Sequence, residues 1–307
     1  MNIYNINIFV AAQSKLPIAL NSFYKPIFVG AELGDECLVK SLNYRDDIGE
    51  NISLDNPKYC ELTAIYWAWK NLKSDAVGLS HYRRYFLFNI RNYFNIDIMP
   101  FNSTDKEVIS AINNFPDNMR SFVCNGGWIV APEKNIIKSV SEYYMDDTAC
   151  VAADWEVMRQ VINELYPEYQ GSLEKYIKNN KLRHYNMFIT SWSNFSKYCD
   201  WIFKILKKID NKLDYSNRNK TQMRVLGYIA ERLLGLYLEH NNSQKLEIMV
   251  GYYNPDHRIY KIYKGNNIIF RQLIYKILQY LVNFKIISIK FLKRINLFMY
   301  RLFRLLN

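Results

Sequence analysis

The sequence predicts an α/β fold, a largely parallel sheet covered by helices on both faces, followed by basic amphipathic helices at the C-terminus. Three observations lead there. Short runs rich in β-branched and other apolar residues recur at strand length, helical periodicities lie between them, and no Asp or Glu occurs after Asp256.

The first run, INIFVAA at 6–12, is a strand whose two faces are both apolar. PIFVGA (26–31), AVGLS (76–80), SFVCNGGWIVA (121–131) and HYNMFITSW (184–192) have the same character. Between the second and third, Asn56 is placed as N-cap and Pro57 as first helical residue. Leu62, Ile65, Tyr66 and Trp69 then form a stripe, with Lys70 and Lys73 in the last turn. A shorter helix starts at Asp154 with Trp155, Met158, Ile162 and Leu165 inward. Another runs from Ser193 through Phe195, Cys199, Ile202, Phe203, Leu206 and Ile209, and a last one covers roughly 221–239. No repeat and no Gly/Ser- or Pro-rich linker divides residues 1–256, which read as one domain; residues 257–307 read as a separate tail.

Composition narrows the function classes. A chain of 307 residues that is 50% hydrophobic and 16% aromatic, with only 11 Gly and 8 Pro, is neither disordered nor fibrous. Its net charge of +11 would suit a nucleic-acid binder if it were spread over the chain. Instead the tail holds eleven Lys and Arg and no acid, which leaves the rest balanced at 29 of each sign. The basicity is a tail property, and no nucleic-acid partner is expected. Five widely spaced cysteines without a CxxC or Cys/His pairing indicate neither a disulfide framework nor a zinc site, and fit a reducing cytosol. The opening MNIYNINIFVAAQ lacks a basic segment before its apolar run and reads as a strand, not a signal peptide.

Open α/β sheets bind ligands beyond the carboxyl ends of their strands. AVGLS runs directly into His81, Tyr82, Arg83 and Arg84, a constellation suited to phosphate because guanidinium forks match its oxygens. A solvated Arg pair with one guanidinium stacked on an aromatic ring is the plainer reading. The loop at 44–56 carries Asp46, Asp47, Glu50, Asn51 and Asp55, which suit ribose hydroxyls, a base edge or a divalent cation; an ordinary polar turn uses the same residue types. Glu61 stands in an otherwise apolar and aromatic helix, where a carboxylate needs a partner.

Taken together, NISLDNPKYCELTAIYWAWKN, VGLSHYRRYF, HYNMFITSWSNFSKYCDWIFKIL and RVLGYIAERLLGLYL, in that order over about residues 6–240, resemble a bacterial family of capsular-polysaccharide and lipopolysaccharide glycosyltransferases. That family was long labelled only as a domain of unknown function, and some members are galactofuranosyltransferases. The resemblance implies a GT-A-like fold with a Rossmann-type nucleotide-sugar domain, a UDP-sugar donor and a lipid-linked glycan acceptor in capsule or O-antigen synthesis.

Most GT-A enzymes hold a metal through an Asp-x-Asp triplet. This chain has none, only the relaxed Asp105-Lys106-Glu107 and Asp154-Trp155-Glu156. Arg83 and Arg84, helped by His81 and Tyr82, are therefore expected to meet the leaving diphosphate without a cofactor, with Mn2+ or Mg2+ on Asp46 and Asp47 as the alternative. Donor contacts are expected from these residues and from Asn51, Glu61 and Gln13. Family members often carry a His-Lys pair just after the first strand, where this chain reads Ala12-Gln13-Ser14-Lys15; the role of that His does not carry over, and Gln13 is a partial substitute.

For a base, Asp154 is the first candidate, although an N-cap role explains it equally, and Glu231 is the rival. Glu231 shares a helix face with Arg224 and Gly227. His184, Tyr185 and Asn186, with Arg224, are expected at the acceptor; a buried strand edge is the plainer reading of the first three.

In 268–307, steps of 100° from Arg271 gather Lys276, Lys290, Lys293, Arg294, Arg301, Arg304, Gln272, Gln279 and Asn283 on one face, with Lys285 the exception. The opposite face is apolar. The segment is too charged for an easy span and reads as a basic amphipathic helix on an anionic membrane surface, at the cytoplasmic face of the inner membrane. Packing on the catalytic domain or on a second subunit is the other reading of the tail. For the whole chain, a non-catalytic scaffold of the polysaccharide machinery is the alternative to an enzyme.

Overall fold

Ile6–Ala12 forms β1, and Ile8, Phe9 and Val10 at its centre are all fully buried, so both faces of the strand are covered. In the computed structural model, which describes residues 4–255 together with 272, 273, 275–277 and 280, eleven further strands follow. They are β2 (Tyr24–Phe28), β3 (Tyr44–Arg45), β4 (Ala76–His81), β5 (Arg84–Phe86), β6 (Ile98–Phe101), β7 (Trp128–Val130), β8 (Glu133–Asn135), β9 (Lys181–Arg183), β10 (Phe188–Ser191), β11 (Lys245–Glu247) and β12 (Val250–Tyr253).

The described chain separates into two compact units. One comprises residues 1–82 and 117–247, the other 83–116 and 248 onward, so the division differs from the single domain 1–256 read from the sequence. The second unit is made of two segments far apart in sequence, and such an arrangement leaves no linker composition to notice.

In the first unit the strands lie in the order β11-β7-β10-β4-β1-β2-β3. All neighbours are parallel except β10, which runs against both β4 and β7. The sheet is thus mostly parallel, as the alternation of strand and helix patterns predicts. Its core includes Phe9, Leu79, Trp128 and Phe188 from the strands, and Leu62, Ile65, Met158, Phe195, Ile202, Leu226 and Leu233 from the helices. The helix Trp192–Asp210 begins one residue before the predicted Ser193, where Ser191 as N-cap accepts a bond from the amide of Asn194. The second unit contains β5, β12 and β6 in that order, with the helix Lys106–Asn113 and the stacked rings of Phe88 and Phe115.

Four expectations change. The helix predicted from Asn56 is two helices, Asn56–Tyr59 and Leu62–Asn71, broken at Cys60, and Asp55 takes the capping position without a side-chain bond. Residues 117–124 are helical, so the apolar run 121–131 is a helix end plus β7. Residues 184–187 form a turn that leads into β10. The helix Ala152–Leu165 starts two residues before Asp154, with Val151 as N-cap. Of the tail, only the few positions given above are described, and they are helical; the remainder of the expected amphipathic face lies outside the described residues.

Gly78 marks the closest strand approach in the first unit. A Cβ there would lie 2.7 Å from the Phe188 carbonyl oxygen and 2.8 Å from Ile189 Cγ1, both on β10. Gly78→Ala is expected to lower stability by about 1–3 kcal/mol through overpacking, read as a lower urea midpoint with an unchanged slope.

Candidate active site

The carboxyl ends of β1, β2 and β4 are level, because Ala12 pairs with Phe28 and Ala11 with His81. Just beyond them lie Gln13, Gly30 and Tyr82, the last anchored by its amide to the Ala11 carbonyl at 3.1 Å. Gln13 donates through Nε2 to Val29 O at 3.3 Å and to Asn56 Oδ1 at 3.2 Å. Gly30 has φ 69° and faces the Asn56 side chain at a distance that leaves no room for a Cβ. Asn56 in turn donates to the Cys60 carbonyl at 2.8 Å and to Thr63 Oγ1 at 3.2 Å.

That last contact holds the break between the two helices. Cys60 has φ 53° and ψ −129°, an unusual conformation for a residue with a side chain. Opposite it runs the helix Val225–His240. Gly227 on this helix faces Cys60 so closely that a Cβ would meet Sγ at 3.2 Å, and Arg224 Nε donates to the same sulfur at 3.3 Å. Burial pushes the Cys60 thiol up to about 12, so it is a neutral acceptor for the guanidinium.

The turn before β10 completes the cluster. Tyr185 (φ 82°) and Asn186 (φ 50°) are both left-handed. Such residues cost about 1–3 kcal/mol each and persist where surrounding contacts over-determine them. Here the contacts are specific. The Tyr185 amide donates to Glu231 Oε1 at 3.2 Å, and its carbonyl accepts from His81 Nε2 at 2.5 Å, so the proton sits on that ring nitrogen. Asn186 Nδ2 donates to Glu61 Oε1 at 2.9 Å and to the Gly227 carbonyl at 3.3 Å. Both partners are acceptors, which fixes the orientation of the amide. Asn186 is only 2% exposed, and its Oδ1 is buried with no donor. A buried acceptor without a donor is uncommon and calls for a physical reason.

His81, Glu61, Tyr185, Asn186, Arg224 and Glu231 are therefore brought together, with Gln13 joined through Asn56. The sequence reading missed Asn56 and Cys60 as members of this cluster. Their signal would have been the polar pair Cys60-Glu61 interrupting an apolar helix. Glu231 accepts from the Tyr185 amide and from Arg232 Nη1 at 3.2 Å. His184 packs its ring at 5.6 Å from that of Tyr185 and 6.2 Å from that of Tyr143.

Other candidates have different surroundings. Asp46 is fully buried, and its carboxylate accepts from the amides of Gly30 and Ala31 at 2.8 and 3.0 Å and from Ser53 Oγ at 2.6 Å. Asp47 is clasped by the guanidinium of Arg45, which holds its carboxyl below the usual range. Asn51 makes a local turn with Gly49 and Ser53. These partners saturate the loop, and a divalent cation does not fit Asp46 and Asp47. Among the described residues no other group of three His, Cys, Asp or Glu is assembled to hold one.

Asp154 lies buried in a two-pronged pair with Arg218 at 2.6 and 2.7 Å, which commits both oxygens. Arg83 and Arg84 begin the second unit. Arg83 is exposed, with its carbonyl taken by the Tyr253 amide, while Arg84 lies over the Tyr252 ring at 5.5 Å.

The Asp154–Arg218 geometry makes a brace. Asp154→Asn is expected to cost about 3–5 kcal/mol of stability, because it strands a buried guanidinium. The check is a denaturation midpoint measured beside the activity; a variant of wild-type stability would return Asp154 to the list of reacting groups.

Three comparisons with known proteins bear on this geometry. No match is found among curated proteins. Among solved structures, the chain is similar to that of the apo WbbM bifunctional glycosyltransferase, with 25% identity and a TM-score of 0.73 over 81% of this chain. It spans 45% of that protein, just under half its length. The model of the family described as "Domain of unknown function (DUF4422)" matches residues 7–242, most of the first unit and all of the cluster. The chain belongs to the DUF4422 family.

Proposed function

We infer that this protein is a glycosyltransferase that moves a sugar from a UDP-sugar, galactofuranose being the sugar we favour, to a hydroxyl of a growing lipid-linked glycan for capsule or O-antigen. Three things support the reading: the position of the cluster beyond parallel strand ends, the family, and the likeness to a bifunctional glycosyltransferase. The observation that carries it is the buried, donor-less Oδ1 of Asn186, on a strained turn tied to the carboxylates Glu61 and Glu231.

The division of labour between the carboxylates follows from their bonds. Both oxygens of Glu231 accept, one from Tyr185 and one from Arg232, so Glu231 holds the turn. Glu61 is half-buried and accepts from Asn186 through one oxygen, which orients the group and leaves the other for a proton. In an inverting transfer the acceptor oxygen bonds to the anomeric carbon as the bond from that carbon to the diphosphate oxygen breaks. The hydroxyl proton passes to Glu61, and the negative charge collects on UDP. That charge calls for fixed cations, the role that the sequence reading gives to Arg83 and Arg84.

Two experiments test this reading. UDP at 100-fold excess over its dissociation constant is expected to stabilise the fold by about 2.7 kcal/mol, with EDTA present as well as without. The Arg83→Gln/Arg84→Gln double variant loses that thermal shift. Silence from UDP, GDP, CMP and dTDP alike would sink the enzyme reading in favour of a scaffold, and a strict need for Mn2+ or Mg2+ would sink the fixed-cation mechanism. Glu61→Gln is expected to lower kcat by roughly 10²–10⁴ with little change in donor KM; an unaffected kcat removes Glu61 as the base.

A further inference from the structure

The described part of the tail is a helix that leaves an apolar stripe exposed. Residues 272, 273, 275–277 and 280 are helical. Gln272 is fully buried, accepting through Oε1 from the Tyr93 amide at 2.9 Å and donating through Nε2 to the Arg91 carbonyl at 2.9 Å. One turn on, Lys276 Nζ donates to the Asn95 carbonyl at 3.3 Å. The helix is thus tied to the loop 91–95 of its own unit by Gln272, which is buried, and by Lys276, which stays exposed. Leu273, Ile277 and Tyr280, spaced as one stripe, are 36%, 49% and 57% exposed. A surface helix of a globular protein ordinarily buries its apolar stripe against the core and turns the polar residues out. Here the two bonds of the Gln272 amide tie the helix to its unit while Leu273, Ile277 and Tyr280 stay exposed, and that stripe calls for an apolar medium of its own.

We propose that the stripe Leu273, Ile277 and Tyr280 docks into the headgroup region of an anionic lipid bilayer, with the helix held on the protein by Gln272. Charge selects the occupant. Residues 257–307 carry eleven Lys and Arg and no acid, so a second copy seated on this stripe would set two unscreened basic tails against each other. An anionic leaflet offers phosphate to the cations and acyl chain to the stripe. Among the described residues no helix is long and apolar enough to cross a membrane, and the mode is attachment in the interface plane. This differs from an ordinary amphipathic anchor in that the helix is oriented by the folded unit before it meets lipid.

The test is flotation of the full chain with vesicles of phosphatidylcholine alone or mixed with phosphatidylglycerol, at low and high salt. The chain is expected to float with the anionic vesicles and to be released by salt. Leu273→Ser/Ile277→Ser is expected to weaken binding at least about tenfold. Each neutralised tail cation, as in Lys290→Gln, costs about fivefold. Circular dichroism and a thermal midpoint equal to those of the parent establish that the variants are folded; for a misfolded pair, the milder Ile277→Thr is used in its place. Failure to float, equal flotation with neutral vesicles, or a folded double variant that floats as well as the parent would overturn the proposal. So would a stable dimer that the double variant converts to monomer. None of these readouts depends on turnover, so the proposal fails or stands apart from the sugar-transfer reading.

Discussion

The close approach of the helix Val225–His240 to the break at Cys60 governs the rest of the candidate site. A Cβ at position 227 would press on Cys60 at 3.2–3.3 Å, and the glycine carbonyl accepts from Asn186. The break is what frees Glu61 from the helical ladder and lets it face the turn before β10. Arg224, Gly227 and Glu231 lie on one side of the long helix, meeting in turn the Cys60 sulfur, the Asn186 amide and the Tyr185 amide. Three residues with side chains, Cys60, Tyr185 and Asn186, are held in left-handed conformations within this one region. Each is unfavourable alone, and each is pinned by at least one hydrogen bond with another element.

Buried charge plays a different part elsewhere in the first unit. Arg183 on β9 is buried, and its guanidinium reaches the Ala131 carbonyl, Glu133 on β8 at 3.1 Å and Glu247 on β11 at 2.8 Å. Asp154 and Arg218 join residues 64 positions apart. Such pairs seldom add net stability over apolar packing, since desolvation offsets most of the attraction. Their effect is to fix which segments meet, which is also what a site assembled from five separate stretches of chain requires.

Much of this arrangement was legible in the sequence, for physical reasons that can be named. Strands buried on both faces read as continuous apolar runs, so β1 and β4 stood out with nearly their observed limits. His81, Glu61, Tyr185, Asn186 and Glu231 were legible because polar residues beside apolar strand ends or inside apolar helices need a reason. The break at Cys60 was not, because Leu62, Ile65, Tyr66 and Trp69 keep the same spacing whether one helix or two precede them. The helical start of the 121–131 run was hidden by the ambiguity of short apolar segments. Asp46, Asp47 and Asp154 looked available because their partners, Gly30 and Ala31 amides, Arg45 and Arg218, are matters of folding and not of spacing.

The antiparallel course of β10 has a consequence for how such a protein can diversify. In a wholly parallel sheet each strand offers only the segment that follows it to the ligand-binding rim. Because β10 is reversed, it offers the segment that precedes it, and the start of the helix Trp192–Asp210 falls at the far rim beside Ser74 and Gly126. Length changes and grafted residues at Ser193 and Asn194 are thereby uncoupled from the chemistry. A single substitution in the four residues 184–187 acts at once on the contacts with His81, Glu61, Gly227 and Glu231, which makes that short stretch the place where a change in the candidate site would first be written.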